Sequence, residues 1–97
     1  MANASKTVIV TGGSQGIGSG AVQAFLDRDY NVVATSRNVT KSKDLPSSPN
    51  LALVDGDIGD ATTAARVAET AVGTFGSIDT LVNNAGIFHQ ALYRLHG

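Results

Sequence analysis

The chain contains no cysteine. That absence excludes a disulfide framework, a thiol nucleophile and thiolate metal sites, and it fits a reducing compartment. Residues 1–6 contain no apolar core of a secretory signal. We therefore expect a cytoplasmic protein, in which the glycosylation patterns that begin at Asn3 and Asn38 stay unused.

The chain also lacks a strong charge of either sign and any long apolar run. Its formal net charge is −1, so no basic excess points to nucleic acid. No apolar segment approaches the roughly 20 residues of a membrane span. A length of 97 residues, 42% of them hydrophobic, is typical of one small globular domain. We expect neither a nucleic-acid nor a membrane partner.

Metal-binding patterns are missing as well. The acidic turn 55–60 faintly resembles a calcium loop, but Arg66 stands where that loop requires a bidentate Glu. His89 and His96 have no carboxylate partner at helical spacing, so we interpret them as surface residues.

The most informative feature that is present is a glycine-rich stretch, residues 11–18, between the apolar run 7–10 and a helix-compatible segment. The first turn of a helix leaves backbone N–H groups unpaired and carries partial positive charge, which together stabilise a pyrophosphate. Gly12 can adopt a positive φ, and Gly16 and Gly18 carry no Cβ to hold a ligand or a strand at a distance. The stretch predicts a phosphate-binding turn.

A purely structural interpretation competes with the phosphate-binding turn, because any tight strand-to-helix connection uses glycine. The spacing Gly12-x-x-x-Gly16-x-Gly18 differs from the G-x-G-x-x-G dinucleotide fingerprint, although Gly16-x-Gly18-x-x-Ala21 satisfies the looser G-x-G-x-x-A form. A P-loop is excluded, since no Gly-Lys-Ser/Thr follows. The choice depends on whether the rest of the chain supplies the other parts of a nucleotide site.

Short apolar runs alternate with longer amphipathic ones along the chain. Strands are predicted at residues 8–10, 31–35, 51–54 and 80–82. Residues 37–50 are polar and contain both prolines, which is typical of a loop or a short irregular helix.

Two helices are predicted from apolar residues at three- and four-residue steps. The first carries the stripe Ile17, Ala21, Ala24 and Phe25 and runs to about residue 28. The second begins after Asp60 as N-cap and ends at Gly76. Its predicted apolar stripe consists of Ala64, Ala68, Ala71, Val72 and Phe75.

This order predicts an α/β fold, an open parallel sheet with helices on its faces and right-handed crossovers. Ligands of such sheets bind beyond the carboxyl ends of the strands. Each predicted strand is followed there by a polar turn: residues 11–18, 36–37, 57–58 and 83–86.

Four motifs give the chain a family resemblance. They are Thr11-Gly-x-x-x-Gly16-x-Gly18, Asp57-Ile58, Phe75-Gly-x-x-Asp79 and Asn83-Asn-Ala-Gly86. With them, residues 5–88 resemble the N-terminal part of a short-chain dehydrogenase/reductase, whereas residues 89–97 diverge. The resemblance implies a Rossmann-type fold, truncated after about four strands, and a partial NAD(P)-binding domain over residues 1–97. It also implies an oxidoreductase that moves hydride between a nicotinamide and an alcohol or carbonyl.

The resemblance further implies site residues. Asp57 would accept a hydrogen bond from the adenine amino group, with Ile58 against the ring. Asn83 would hold the ribose side and tie the fourth strand to the sheet, while Ala85 and Gly86 let the backbone pass close to the cofactor. The alternative for Asp57 is a turn former or helix cap, and for Asn83 and Asn84 it is ordinary turn chemistry. The pyrophosphate and adjoining ribose would be held by Gly12, Ser14, Gln15, Gly16, Ile17 and Gly18.

The end of the second strand bears on cofactor choice. An NAD site usually places a carboxylate there for the ribose 2′-OH, and that carboxylate would repel a 2′-phosphate. Here Ser36 is followed by Arg37, and a guanidinium can pair with a phosphate through two hydrogen bonds. We therefore expect NADP rather than NAD, with a solvated Arg37 as the alternative.

The catalytic residues of the resembled family are missing. That family uses a Ser and a Tyr-x-x-x-Lys, often with an Asn, and no Tyr-x-x-x-Lys occurs here, since Gly97 stands four residues after Tyr93. We expect a truncated, frameshifted or alternatively spliced product that carries the adenine-binding half and is inactive alone. The alternative function is a non-catalytic nucleotide-binding or partner-modulating module.

An unpaired edge at Leu81 and Val82 predicts weak stability or self-association.

Overall fold

The computed structural model describes residues 5–12 and 16–83. They form one sheet of four parallel strands in the order β3-β2-β1-β4. This sheet and its flanking helices confirm the predicted Rossmann-type α/β fold. The strands are β1 Thr7–Thr11, β2 Asn31–Ser36, β3 Leu51–Asp55 and β4 Thr80–Asn83.

The two central strands carry the core. Every residue of β1, and every residue of β2 except Ser36, is buried. A parallel strand covered on both faces needs continuous apolar or β-branched residues, which is what Val8-Ile-Val10 and Val32-Val33 provide. The outer strands β3 and β4 are only partly buried.

Helices cover both faces of the sheet. The first is α1, Gly16–Asp27, and its Val22 packs with Val8 and Val10 in one core cluster. The other face is covered by α2, Ala61–Thr70, and by a π-helical turn, Ala71–Phe75. Gly76 ends that turn with φ 90°, at the predicted residue. Between β2 and β3, Val39–Lys41 forms a short 3₁₀ turn within the segment predicted as a loop or irregular helix.

The buried face of α2 differs from the predicted stripe. Thr63, Val67 and Ala71 are buried and lie four residues apart, whereas Ala64 is exposed and Val72 is 54% exposed. Val67 packs with Ile9, Val33 and Val54 of the sheet. The prediction of Ala64 and Val72 as core residues was wrong, because the branched Val67 fixes the rotation of the helix while small alanines fit on either side. In α1, Ala24 is likewise exposed rather than buried.

Asp60 occupies the predicted N-cap position of α2, with extended backbone angles, but its side chain makes no capping hydrogen bond. The backbone carbonyl of Asp60 accepts the first intrahelical bond, from the N–H of Ala64 at 3.0 Å. No helix within the described residues is both long and apolar enough to cross a lipid bilayer.

Candidate functional site

The carboxyl ends of all four strands meet at one edge of the sheet. The register pairs Thr11 of β1 with Thr35 of β2 and with Asn83 of β4, and it pairs Ser36 of β2 with Asp55 of β3. The chain runs from β1 through β2 to β3 on one side and then crosses to β4 on the other side of β1. In a parallel sheet this reversal opens a crevice between the carboxyl ends of β1 and β4, where ligands bind.

The glycine-rich turn starts in that crevice. Gly12 has φ 65°, which confirms the positive φ expected for it, and its N–H donates to the carbonyl of Thr35 at 2.8 Å. Helix α1 begins at Gly16, and its first turn contains no acidic residue. The unpaired N–H groups and partial positive charge of that turn suit an anion.

The described part of this turn includes Gly18, which is buried, as expected for a glycine that lets a helix pack closely against the sheet. Gly16 and Ile17 form the first residues of α1. Ser14 and Gln15, predicted to join them at the pyrophosphate, lie outside the described residues.

Three predicted residues meet at the ends of β2 and β3. The Nη2 of Arg37 lies 3.4 Å from the Oδ2 of Asp57 in an ion pair whose side chains are 80% and 44% exposed, respectively. The Oγ of Ser36 is buried and has no hydrogen-bond partner among the described residues. A buried hydroxyl without a partner is costly, so a rotation of this side chain that exposes the oxygen to a hydrogen-bonding ligand group would be favoured.

Asp57 and Ile58 also have structural contacts. The Oδ1 of Asp57 accepts the backbone N–H of Gly59 at 2.9 Å, an Asx turn that matches the alternative interpretation of this residue. Ile58 is half-buried and packs against the core cluster of Ile9, Val33 and Val54. The part of Ile58 that remains exposed is what a ligand ring could contact.

A contact between Thr40 and Asp55 was missed from the sequence. Thr40 donates its N–H to Oδ1 of Asp55 at 2.9 Å and its hydroxyl to Oδ2 at 2.6 Å. These bonds hold the pKa of Asp55 below its ordinary value, with Lys41 adding a smaller effect in the same direction. The two hydrogen bonds hold the 3₁₀ turn, and with it the chain that follows Arg37 as far as Thr40, at the end of β3. The sequence shows only a threonine inside the predicted loop and a carboxylate directly after the third predicted strand, and nothing in it pairs them.

At the crevice itself, β4 is joined to β1 by side chains. The hydroxyl of Thr11 donates to the Oδ1 of Asn83 at 2.6 Å. This contact fits the expected tie between the fourth strand and the sheet, and it leaves the amide NH₂ as the donor group of Asn83. Ala85 and Gly86, predicted beside it, lie outside the described residues.

Asp79, from the third motif, lies at the opposite edge of the sheet. Its Oδ2 accepts the N–H of Thr7 at 2.8 Å and the hydroxyl of Ser77 at 2.9 Å, and its own N–H donates to the carbonyl of Thr7 at 2.9 Å. These bonds, first that from Thr7 and then that from Ser77, lower the pKa of Asp79. This motif therefore fastens the start of β4 to the start of β1 and is not part of the site.

Comparison with known proteins places these features in a family. The family described as short chain dehydrogenase matches residues 6–95. The chain is 34% identical over 87 residues to the uncharacterized oxidoreductase YxnA of Bacillus subtilis, covering 84% of this chain and 24% of YxnA. It is 36% identical over 92 residues to the short chain dehydrogenase/reductase dpchG of Colletotrichum higginsianum, covering 90% and 34% of the two chains.

The chain is also similar to solved protein structures. The structure of ElxO with NADP bound is 40% identical, with a TM-score of 0.72, covering 86% of this chain and 36% of ElxO. A short chain dehydrogenase from Bacillus anthracis is 32% identical, also with a TM-score of 0.72, covering 82% and 34%. The chain spans between 24% and 36% of the length of the curated relatives to which it was compared.

Proposed function

The chain belongs to the short-chain dehydrogenase family, and from this premise we propose that it binds the adenine and pyrophosphate half of NADP for an oxidoreductase. The observation that carries the proposal is the meeting of Gly12, Ser36, Arg37 and Asn83 at the carboxyl edge of one parallel sheet. Three segments far apart in the sequence supply matching parts of one dinucleotide site.

The pyrophosphate lies at the start of α1 in this proposal. Gly12 turns the chain with a positive φ, and Gly16, Ile17 and Gly18 begin the helix that faces the phosphates. Ser14 and Gln15 are assigned to the pyrophosphate from the family resemblance alone. The backbone N–H groups replace water around the anion without bringing a carboxylate near it.

The 2′-phosphate lies beside Ser36 and Arg37. The unpartnered Oγ of Ser36 donates to a phosphate oxygen, and the guanidinium of Arg37 pairs with the same group. The ion pair between Arg37 and Asp57 does not oppose this, because an exposed pair of this kind is worth only about 0–1 kcal/mol. ElxO, 40% identical, was solved with NADP bound, and YwfH, 29% identical, is described as an NADPH dependent reductase.

The adenine lies between β2 and β3, with Asp57 accepting from its amino group and Ile58 against the ring. On the other side of the crevice, Asn83 donates its amide NH₂ to the ribose while Thr11 holds its Oδ1. Ala85 and Gly86 are assigned to the cofactor from the family resemblance alone.

The reaction proposed for the whole protein is hydride transfer to or from an alcohol or carbonyl carbon. The bound nicotinamide supplies the hydride or takes it up. The residues of this chain bind and orient the adenine side, and we assign no catalytic residue among them. A non-catalytic nucleotide-binding or partner-modulating module remains the second candidate, since a site for the adenine side of a cofactor is all that such a module needs.

Titration calorimetry with NADP and NAD tests the cofactor assignment. We expect NADP to bind more tightly, and Ser36→Asp to shift the preference at least tenfold towards NAD, because a carboxylate repels the 2′-phosphate and accepts from a 2′-OH. Ser47→Asp, in the exposed segment before β3, is the matched control and should leave the ratio unchanged. An NADP/NAD ratio that Ser36→Asp does not alter would contradict the assignment.

Binding of 2′-phospho-ADP tests the adenine-side site itself, and the gene sequence beyond this chain separates the two candidate functions. Both predict binding. If the gene encodes a Ser and a Tyr-x-x-x-Lys downstream of residue 88 in any reading frame, the chain is part of a dehydrogenase, whereas their absence supports the non-catalytic module.

A further inference from the structure

The carboxyl edge of the sheet contains a carboxylate to which the proposed function gives no part. Asp55 ends β3 and lies directly opposite Ser36 of β2 in the parallel register, and neighbouring strands are only about 4.8 Å apart. The residue is half-buried. Hydrogen bonds from Thr40 hold the pKa of Asp55 below its ordinary value, so this side chain is negatively charged at neutral pH.

The side chains of Asp55 and Ser36 lie on the same face of the sheet. Side chains alternate between the two faces along a strand. Leu53 in β3 and Ala34 in β2 both pack in the core cluster under α1, and Asp55 and Ser36 each follow two residues later. A phosphate group bound by the Ser36 hydroxyl therefore has the carboxylate of Asp55 as its cross-strand neighbour.

Thr40 occupies this carboxylate. Its N–H donates to Oδ1 of Asp55 at 2.9 Å and its hydroxyl to Oδ2 at 2.6 Å. The turn approaches from the same face, since the neighbouring Val39 is buried in the cluster under α1. The hydroxyl of Ser36 makes no hydrogen bond within the described residues, although it lies opposite Asp55. The two bonds from Thr40 therefore fix the orientation of the carboxylate.

We propose that Thr40 is a specificity-determining residue for the ribose 2′ position, because it holds the Asp55 carboxylate away from that position. This inference rests on the proposed function, since it requires the adenine-side ribose beside Ser36. In an NAD site a carboxylate accepts from the 2′-OH and repels a 2′-phosphate. Released from Thr40, Asp55 does the same from the end of β3, and it also competes for the hydroxyl of Ser36. The preference for a 2′-phosphate thus depends on a threonine outside the ligand contacts.

Titration calorimetry with 2′-phospho-ADP and ADP tests this role. The ratio of the two affinities is measured on one preparation of each variant, so an unfolded fraction cancels. We expect Thr40→Val, which removes the hydroxyl donor at nearly the same side-chain shape, to lower the preference for 2′-phospho-ADP by about three- to fivefold, the scale of one partly exposed charge interaction. Thr40→Ser keeps the donor and should keep the ratio. Thr74→Val, exposed in the π-helical turn at the far end of α2, is the matched control and should also keep it.

Replacing the other partner distinguishes this role from a merely structural one. If the contact only fastened the turn, the loss of either partner would lower the ratio. We expect Asp55→Asn instead to retain or raise the preference for 2′-phospho-ADP, because the charge that opposes the phosphate is gone. For the same reason, the double variant that combines Thr40→Val with Asp55→Asn should not fall below the parent ratio.

The outcomes separate this inference from the proposed function. A parent chain that binds 2′-phospho-ADP no better than ADP overturns both. A preference in the parent chain that survives Thr40→Val, that Thr40→Ser lowers as far as Thr40→Val does, or that Asp55→Asn or the double variant lowers, overturns the role of Thr40 and leaves the proposed site intact.

Discussion

The conformation of single residues at the ends of α1 and β3 decides how these elements are connected. Asp29 has φ 66°, a left-handed conformation that side chains with a Cβ adopt at a cost. The N–H of Asp29 donates to the carbonyl of Leu26 and the N–H of Tyr30 to that of Phe25, both at 3.0 Å. With the Phe25 and Tyr30 rings 4.9 Å apart, this is a Schellman motif with Asp in the position that glycine prefers.

Replacing Asp29 by glycine should stabilise the protein. We expect Asp29→Gly to raise the free energy of unfolding by about 0.5–1 kcal/mol, because glycine adopts the left-handed conformation without steric cost. Urea unfolding measures it. Ala24→Gly in the exposed middle of α1 is the control and should lower the free energy by about 1 kcal/mol; a loss of stability in Asp29→Gly would show that φ at this residue is not the limiting factor.

Gly56, directly after β3, should not tolerate a side chain. Its φ is 150°, and an added Cβ would lie 2.5 Å from the Oγ1 of the buried Thr63. We expect Gly56→Ala to lower the free energy of unfolding by about 1–3 kcal/mol, the usual range for overpacking. Gly73→Ala, whose Cβ would meet no atom within 4 Å, is the control and should be neutral or stabilising. Thr63→Ala should recover part of the loss in the double variant, and no recovery would argue against the clash.

At the scale of elements, carboxylates hydrogen-bond to neighbouring segments, and we expect the stability that these hydrogen bonds contribute to fall at low pH. The folded-state pKa values of Asp79 and Asp55 lie below their ordinary values because each carboxylate accepts hydrogen bonds, Asp79 chiefly from Thr7 and Asp55 chiefly from Thr40. A lowered pKa stabilises the fold above the unfolded-state pKa, and this contribution disappears as the pH falls through the folded-state value.

We therefore expect stability to fall below about pH 4, where an unfolded Asp begins to bind protons. Asp79→Asn should flatten this dependence and lower stability at neutral pH, because its amide does not titrate and a neutral amide oxygen accepts the Thr7 N–H more weakly than a carboxylate does. Asp60→Asn, which loses no side-chain capping bond, is the control. Urea titrations from pH 7 to pH 2.5 provide the measurement, and parallel pH curves for the parent and Asp79→Asn would contradict this role.

The elements and their parallel sheet could be predicted from the sequence, but the order of the strands and the contacts between distant side chains could not. The four strands and the glycine with positive φ after β1 follow from local patterns, because burial on both faces and left-handed backbone each require particular residues. The strand order β3-β2-β1-β4 and the contact between Thr40 and Asp55 depend on crossovers between distant segments. The rotation of α2 was predicted wrongly because alanine is apolar yet small enough to be exposed, so the stripe through Ala64 and Val72 was ambiguous.

At the scale of the whole molecule, the proposed cofactor site joins segments from residue 12 to residue 83, so an occupied site should resist global unfolding. A ligand that binds only the folded state stabilises it by about 2.7 kcal/mol at 100 times its dissociation constant. For a domain of this size that is a rise in melting temperature of about 10 °C or more. ADP, which lacks the 2′-phosphate, should stabilise the protein less than 2′-phospho-ADP does at the same concentration.

Arg37 should account for the difference between the two ligands. In Arg37→Ala we expect 2′-phospho-ADP and ADP to raise the melting temperature by nearly equal amounts, because the guanidinium that pairs with the 2′-phosphate is gone. Arg28→Ala is the matched control, since Arg28 follows the end of α1 and precedes the start of β2, at the opposite edge of the sheet; it should keep the difference. If Arg37→Ala retained the full preference for 2′-phospho-ADP, Arg37 would be the solvated side chain that its 80% exposure also allows, and the 2′-phosphate would have to be bound elsewhere along the carboxyl edge.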